Sequence, residues 1–283
     1  MRRQKRVAAI HDISCLGRCS LTVALPILSA AGIETAVIPT AVLSTHTGGF
    51  SGYTYRDLTQ DILPIVDHWQ GLSLEFDGIY TGFLGSVEQV DIVMTAFDRL
   101  KGQDTLIAVD PVMADFGKLY PLFPPHFPAE MRRLCAKADL IAPNLTETAL
   151  LLDEPYREGP NTWEDIHRML RGLRGLGPKR VVITGVSFDG ERLGAVSLDG
   201  QTGQTDYAAA KRIDPMYHGT GDIFASALTA ALLHGRTLAQ ASEAAVRFTV
   251  DSIARTKAAG TDSRFGVNFE AGLTGLRALI ENA

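Results

Sequence analysis

The sequence predicts an α/β fold: a central, mostly parallel sheet flanked by helices on both faces, with a small lid or flap. The first observation is that short apolar runs alternate with longer helical patterns along most of the 283 residues. Such repetition needs crossover connections, which make neighbouring strands parallel and cover both faces of the sheet. The second observation is that no linker or shift in composition interrupts the pattern. One domain over residues 1–283 is therefore expected.

The individual elements follow from local periodicity. Continuous apolar runs predict buried strands at residues 6–10, 34–40, 76–85, 105–111, 139–144 and 180–185. Helical patterns lie at residues 20–31, 87–100, 127–137, 145–152, 162–175 and 221–234, and at about 238–256 and 268–281. Residues 192–209 alternate as an antiparallel pair would. Residues 44–55, rich in Gly, Thr and Ser, predict a loop or a mobile flap.

Composition excludes several classes of partner. Apolar residues make up 46% of the chain and charged residues 21%, with a net charge of −5, as in soluble globular proteins. No apolar run reaches the ~20 residues that a membrane span needs. Basic residues cluster only in the first six positions, and their flanks do not resemble a signal peptide. We therefore expect a cytoplasmic protein that binds neither nucleic acid nor membrane.

The three cysteines predict free thiols. Cys15 and Cys19 have C-x3-C spacing, but no second ligand pair follows. A zinc site is therefore not expected, and free thiols are the default in a cytoplasmic protein.

Polar residues follow three of the predicted strands, and a Gly-rich turn opens a helix further on. Taken singly, each has an ordinary use, because Asp before Pro favours a turn and Asn with a Glu three residues later favours a helix start. Ligands of open α/β sheets bind at the carboxyl ends of the strands, however, and these residues recur at successive ends. They are Asp110 and Asp115, Asn144 and Glu147, and Thr184 and Gly185.

The stretch "HGTGD" at 218–222 combines a phosphate-binding turn with an acid. Gly219 and Gly221 let backbone N–H groups point into one concavity, where the helix that follows adds its positive end. An acid beside such a turn would repel phosphate unless it had a chemical role. Activation of an acceptor hydroxyl in phosphoryl transfer is such a role, so Asp222 is predicted as a general base. Walker, dinucleotide-binding and protein-kinase motifs are absent from the sequence.

These motifs together resemble the ribokinase superfamily and, within it, the pyridoxal (vitamin B6) kinases. "GTGDIFAS" is similar to the superfamily's anion-hole and base motif. "DPVMAD", "PNLTE", "STHT" at 44–47 and "TGFLGS" at 81–86 are similar, in this order, to motifs of the pyridoxal kinases. The resemblance covers nearly the whole chain. It implies a ribokinase-like fold, a homodimer, and transfer of a phosphoryl group from ATP to the 5′-hydroxymethyl group of a B6 vitamer.

The resemblance also assigns residues by motif. Asp222 would be the catalytic base, and Gly219, Thr220 and Gly221 the anion hole at the γ-phosphate. The acids implied to hold Mg²⁺, mostly through water, are Asp115 and Glu147. Positions around the ATP phosphates and a monovalent cation such as K⁺ are Asp110, Asn144, Glu147, Thr184 and Gly185.

Four further residues match positions that face the vitamin. His46 and Thr47 correspond to positions facing the pyridine ring. Many members have Ser where this chain has Asp12 and Tyr where it has Phe83, so substrate preference is open. Asp12 could instead cap the segment after it.

Other functions stay open from the sequence. A hydroxymethylpyrimidine kinase takes a similar flat alcohol, although "STHT" and "TGFLGS" favour the B6 vitamers. A sugar kinase would carry an early Gly-Gly-Asn-type segment, which the sequence lacks. A non-catalytic pyridoxal-phosphate binder on the same fold is the alternative of another class, against which the intact base, anion hole and acids argue.

Overall fold

A computed structural model describes residues 3–283, which form one nine-stranded sheet and a small two-stranded sheet. The strand order in the large sheet is β11-β10-β9-β8-β5-β4-β1-β2-β3. Its strands are β1 (Arg6–Leu16), β2 (Glu34–Thr45), β3 (Tyr55–Asp57), β4 (Gly78–Thr81), β5 (Leu106–Val109), β8 (Leu140–Ile141), β9 (Arg180–Val186), β10 (Arg192–Asp199) and β11 (Thr205–Lys211). The small sheet pairs β6 (Ala114–Asp115) with β7 (Lys118–Leu119).

The six strands from β9 across to β2 are parallel to their neighbours. Strands β10 and β11 extend one edge in antiparallel fashion, and β3 pairs antiparallel with β2 at the other edge. After β1 the chain crosses to β2 on one side, whereas after β4 it crosses to β5 on the other side. The adjacent strands β1 and β4 therefore form a topological switch point, where a crevice opens at the carboxyl ends of the strands.

Helices cover both faces of the large sheet. They are α1 (Leu21–Ala30), α2 (Thr59–Gly71), α3 (Val87–Leu100), α4 (Phe127–Ala136), α5 (Leu145–Leu152), α6 (Trp163–Gly175), α7 (Thr220–Leu233), α8 (Leu238–Ala259) and α9 (Leu273–Glu281). Side chains from α2 to α6 pack in one buried layer, and those from α1, α7, α8 and α9 pack in another. Burial of these two apolar layers supplies the main driving force for folding.

The predicted fold class is confirmed. The predicted helices 87–100 and 145–152 have the observed bounds, and residues 192–209 do form part of an antiparallel pair. Strand β1 continues to Leu16 rather than ending at residue 10, because β2 continues to pair with it beyond a register shift between His11 and Ile13.

The sequence prediction missed helix α2. Its buried residues Ile62 and Val66 have helical spacing, and Pro64 lies inside the helix. Residues 46–54 form the connection between β2 and β3, within the predicted flap. Among the described residues, no helix is both long and apolar enough to cross a bilayer. The three cysteines are free thiols, as predicted.

Candidate active site

The predicted polar residues meet at the carboxyl edge of the large sheet. Asp12 lies in β1 at the register shift, where β4 has already ended beside Ile10. Asp110 directly follows β5, and its N–H donates to the Thr81 carbonyl of the neighbouring strand. Asn144 follows β8 and bridges to Thr184 in β9. Parallel pairing therefore brings side chains distant in sequence to one side of the molecule.

The "GTGD" turn forms the beginning of α7. Gly219 has φ +75°, and a Cβ there would lie 2.0 Å from the carbonyl oxygen of Arg18, so only glycine fits. Gly221 is exposed, and a Cβ there would lie 3.9 Å from Asp110 Oδ2. The first N–H groups of a helix have no helical partner, so this turn offers donors to an anion near Asp110. Thr220 fixes the turn by donating its hydroxyl to the Tyr217 carbonyl at 3.3 Å.

Asp222 and Asp12 form one carboxylate pair. Burial raises the pKa of Asp222 to about 7, with a further contribution from the charge of Asp12, while the backbone amide of Ser20 opposes the shift. Burial likewise raises the pKa of Asp12 to about 6. Oδ2 of Asp12 accepts from the Ser14 hydroxyl at 3.3 Å, but its Oδ1 is buried and has no hydrogen-bond partner among the residues that the structure describes. A buried bare oxygen is costly unless a bound group pairs with it.

Asp110 connects this pair with the other acids. It is buried, and desolvation raises its pKa well above the usual range, helped by the charges of Asp222 and Asp115. The buried Tyr80 lies close enough to Asp110 and Asp222 for both charges to raise the pKa of its phenol. So many mutually repelling acids are expected where a cation or a proton is to be held.

Asp115 is held by the hairpin that carries it. Phe116 and Gly117 both have positive φ, as a two-residue type I′ turn requires, and they join β6 to β7. The hairpin brings Tyr120 beside Asp115, and the Tyr120 hydroxyl donates to Asp115 Oδ2 at 2.6 Å. Asn144 Nδ2 donates to Asp115 Oδ1 at 3.2 Å. Burial nevertheless raises the pKa of Asp115.

Glu147 is buried, and each of its two carboxylate oxygens accepts a hydrogen bond. Its Oε2 accepts from the Asn144 N–H at 2.8 Å, and Asn144 Oδ1 accepts from the Glu147 N–H at 2.8 Å, which makes a capping box at the start of α5. Its Oε1 accepts from the Met113 N–H at 3.1 Å. Burial and the charge of Asp110 raise the pKa of Glu147. The helix-start role and the predicted site role therefore fall on the same two side chains.

A magnesium ion is compatible with this geometry if substrate supplies part of its shell. In the part of the chain that the structure describes, no three His, Cys, Asp or Glu side chains converge to form a complete metal site. Mg²⁺, however, is usually held by one or two carboxylates together with phosphate oxygens and several waters. Each oxygen of Asp115 and Glu147 keeps a second lone pair beyond its hydrogen bond. These two residues therefore fit an ion held mostly through water.

The residues predicted to face the vitamin differ from one another in burial and in contacts. His46 is tied to backbone at both ring nitrogens, with Nε2 2.6 Å from the Arg264 carbonyl and Nδ1 accepting from the Gly48 N–H at 3.1 Å. It has no nitrogen free for a ligand and holds the 46–54 connection instead. Thr47 is exposed. Phe83 is partly buried and packs on the ring of Phe123, 5.6 Å away.

Sequence reasoning missed two residues that hold the site. Tyr120 had a findable signal, because "FG" between short alternating segments is typical of a tight hairpin. Ser20 had none, since its backbone conformation and its neighbours depend on packing. Arg18, Cys19 and Ser20 approach the "GTGD" turn from the other end of the chain.

Comparisons with known proteins agree with this geometry. The family model of phosphomethylpyrimidine kinases matches residues 28–266, most of the chain. A curated pyridoxine/pyridoxal/pyridoxamine kinase of Bordetella avium is 29% identical over 266 residues, which is 89% of this chain and 86% of that protein.

Two solved structures are more similar in sequence. A Bacteroides thetaiotaomicron protein assigned to the phosphomethylpyrimidine kinases, in a crystal form with pyridoxal, is 39% identical, with TM-score 0.92 over 97% of this chain and 96% of that one. A pyridoxal kinase of Lactobacillus plantarum is 34% identical, with TM-score 0.88 over 99% of both chains. The chain therefore belongs to the phosphomethylpyrimidine kinase family, and its resemblance to the pyridoxal kinases of the ribokinase superfamily is confirmed.

Proposed function

We propose that the chain is an ATP-dependent kinase that phosphorylates the 5′-hydroxymethyl group of pyridoxal, pyridoxine or pyridoxamine. The observation that carries the proposal is the start of α7, where a partly buried carboxylate with a raised pKa follows directly on a turn whose first N–H groups have no helical partner. The pyridoxal present with the Bacteroides relative, at 39% identity, supports a B6 vitamer as the acceptor. The names of the Bordetella and Lactobacillus relatives support the same reaction.

In the reaction, Asp222 takes the proton of the acceptor hydroxyl. The hydroxyl oxygen forms a bond to the γ-phosphorus of ATP while the bond from that phosphorus to the bridging oxygen breaks, which releases ADP. A carboxylate with a pKa of about 7 is still ionised in good part at neutral pH, yet basic enough to accept the proton. The N–H groups of Gly219, Thr220 and Gly221 face the charge of the transferred phosphoryl group.

Asp115 and Glu147 would hold Mg²⁺, mostly through water. When bound, the ion would neutralise phosphate charge and favour departure of ADP. Asn144 positions both acids, since it donates to one and caps a helix with the other. The positions proposed to lie along the ATP phosphates and a monovalent cation such as K⁺ are Asp110, Asn144, Glu147, Thr184 and Gly185.

A second candidate substrate is hydroxymethylpyrimidine. The family model that matches the chain carries the name of that activity. Its substrate is also a flat heteroaromatic alcohol, so the same base and anion hole would serve. Asp12, Thr47 and Phe83 are the residues proposed to distinguish the two rings.

The test is a panel of acceptor alcohols. The protein is incubated with Mg-ATP and each of pyridoxal, pyridoxine, pyridoxamine, hydroxymethylpyrimidine and ribose, and ADP release and the phosphorylated product are measured. We expect the largest kcat/KM with a B6 vitamer, and replacement of K⁺ by Na⁺ tests the cation. Turnover of ribose alone, or tight binding of pyridoxal phosphate without turnover, would contradict the proposal.

We also propose a homodimer, on the resemblance to the pyridoxal kinases. Sedimentation equilibrium should give twice the monomer mass. A concentration-independent monomer would contradict it.

A further inference from the structure

The backbone of Ser20 is in a conformation that serine rarely adopts. Its φ is +54° and its ψ is −129°, a region populated almost only by glycine. Ser20 is buried, with 7% of its surface exposed, and it precedes the first turn of α1 without capping that helix through its hydroxyl. Strain of this kind persists only where surrounding contacts hold it, and it is often found at active sites.

The turn formed by Arg18, Cys19 and Ser20 packs between the "GTGD" turn and strand β1. The carbonyl oxygen of Arg18 approaches Gly219 so closely that a Cβ there would lie 2.0 Å from it, and Cys19 Sγ would lie 3.5 Å away. On its other side, Ser20 forms a bridge to Ile13 in β1, next to Asp12. Ser20 therefore lies between the turn that carries Asp222 and the strand that carries Asp12.

The polar groups of Ser20 face both carboxylates. Its main-chain amide lowers the pKa of Asp222 against the effect of burial, and the turn that carries this amide packs on Gly219, three residues before Asp222. Its hydroxyl, together with that of Ser14, does the same for Asp12. With the usual N-cap backbone, in the extended region, the main chain of the turn would take a different course beside Asp222.

We propose that Ser20 is a positioning residue for Asp222, and that it acts through its strained main chain rather than through its hydroxyl. The inference rests on the proposed function, because it takes Asp222 to be the base. It adds that the base is oriented by a turn about 200 residues earlier in the chain, which only tertiary packing brings to it.

Action through the main chain of Ser20 and action through its hydroxyl predict opposite orders of turnover for two variants. Ser20→Gly deletes the hydroxyl but adopts positive φ readily, so the main chain stays in place. Ser20→Thr keeps a hydroxyl, but its branched Cβ disfavours positive φ and the turn must change. If the main chain matters, glycine preserves turnover and threonine does not. If the hydroxyl matters, the order is reversed.

Ser73 provides a matched control. It also has positive φ, +53°, but it is exposed and lies just beyond α2. Ser73→Thr introduces a branched Cβ at a positive φ away from Asp222. We expect it to lower Tm by about 2–4 °C, like Ser20→Thr, without changing kcat.

The expected results are a kcat within about threefold of wild type for Ser20→Gly and at least tenfold lower for Ser20→Thr. The acid limb of the pH profile should move to higher pH in Ser20→Thr, because the carboxylate loses a donor to its ionised form. Asp12, Asp110, Cys19 and Tyr80 also face Asp222 and are retained in both variants, and Ser20→Gly additionally removes the hydroxyl that lowers the pKa of Asp12. Equal losses in both variants, or the reverse order, would overturn the inference.

Two further measurements keep the outcome decisive. If Ser20→Thr does not fold, Ser20→Ala is compared with Ser20→Gly, and a tenfold loss of kcat in both contradicts action through the main chain. If the wild type phosphorylates no vitamer, the proposed function fails. Titration of Asp222 by ¹³C NMR in wild type, Ser20→Gly and Ser20→Thr then tests the contact by itself, and equal titration in all three overturns it.

Discussion

Each of the two carboxylate pairs of the site combines a buried and a partly buried side chain at the same sheet edge, but the two pairs differ in their hydrogen bonds. On the proposed phosphate side, Asp115 accepts from Tyr120 and Asn144, and Glu147 accepts from two main-chain N–H groups. On the proposed acceptor side, Asp12 keeps one buried oxygen without a partner among residues 3–283, and burial raises the pKa of Asp222 to about 7.

The difference indicates that the carboxylates of the two pairs have different chemical roles. A carboxylate whose oxygens already accept hydrogen bonds has a fixed orientation, which suits a residue that holds an ion through water. A buried carboxylate with a raised pKa and a free oxygen is suited to take up a proton or to bind a donor on a ligand. Variants of residues on the two sides test this division.

Asp222→Asn should have the largest effect. Without a base, kcat should fall by about 10²-fold or more, while ATP binding measured by calorimetry stays within a few-fold of wild type. The control is Asp165→Asn, which alters the acid at the same position in the first turn of α6, a helix that lies away from the site. Turnover near the wild-type value in Asp222→Asn would show that Asp222 is not the base.

The raised pKa of Asp222 predicts that both activity and stability depend on pH. Only the ionised base is active, so kcat/KM should fall about tenfold per unit as pH decreases below about 7. Stability should change in the opposite sense: the folded pKa lies above the unfolded one, so stability is lost as pH rises from about 4 to about 7. Asp222→Asn should therefore have a higher Tm than wild type at pH 8 and an equal Tm at pH 4. Equal Tm values at both pH values would contradict a buried, raised carboxylate.

Glu147→Gln should affect the phosphate side in two ways. An amide can accept from only one of the two N–H groups, so unfolding free energy should fall by about 1–3 kcal/mol. The Mg²⁺ concentration for half-maximal rate should rise about tenfold. Gln240→Ala is the matched control, because it breaks the same kind of capping box at the start of α8, away from the site. If Gln240→Ala changes the Mg²⁺ requirement as much, the effect is not local.

Asp12→Ser tests the free oxygen on the acceptor side. An ionised Asp12 should favour pyridoxamine, whose ammonium group pyridoxal and pyridoxine lack, or vitamers with a protonated ring. The ratio of kcat/KM for pyridoxamine to that for pyridoxal should fall about tenfold in Asp12→Ser. Asp12→Asn removes the charge but keeps nearly the same shape, so it shows whether the charge of Asp12 is what matters. Unchanged ratios in both variants would mean that Asp12 does not contact the substrate.

Tyr120→Phe should have the smallest effect. It removes one hydrogen bond to Asp115, which leaves Asn144 as the remaining donor. We expect about 1 kcal/mol less stability by chemical denaturation and a kcat within about threefold. A loss of kcat as large as in Asp222→Asn would show that the phosphate side is not held redundantly.

Much of the site was predictable because its motifs are local. "GTGD" is a turn, a helix start and an acid within four residues, and "PNLTE" encodes the Asn144–Glu147 capping box on its own. Local hydrogen bonds and glycine conformations depend on residues close in sequence, so a single stretch specifies them. Helix α2 was missed, although its Ile62 and Val66 have helical spacing and pack in the buried layer formed by α2 to α6.

Periodicity and short motifs predicted the fold class, most of the helix starts and the acids at the strand ends. Only the tertiary structure decided that both nitrogens of His46 are bonded to backbone, that Asp12 keeps a bare oxygen, and that Ser20 faces Asp222. The physical reason is that hydrogen-bond satisfaction and desolvation depend on what surrounds a group. For these residues, the surroundings come from segments far away in the chain.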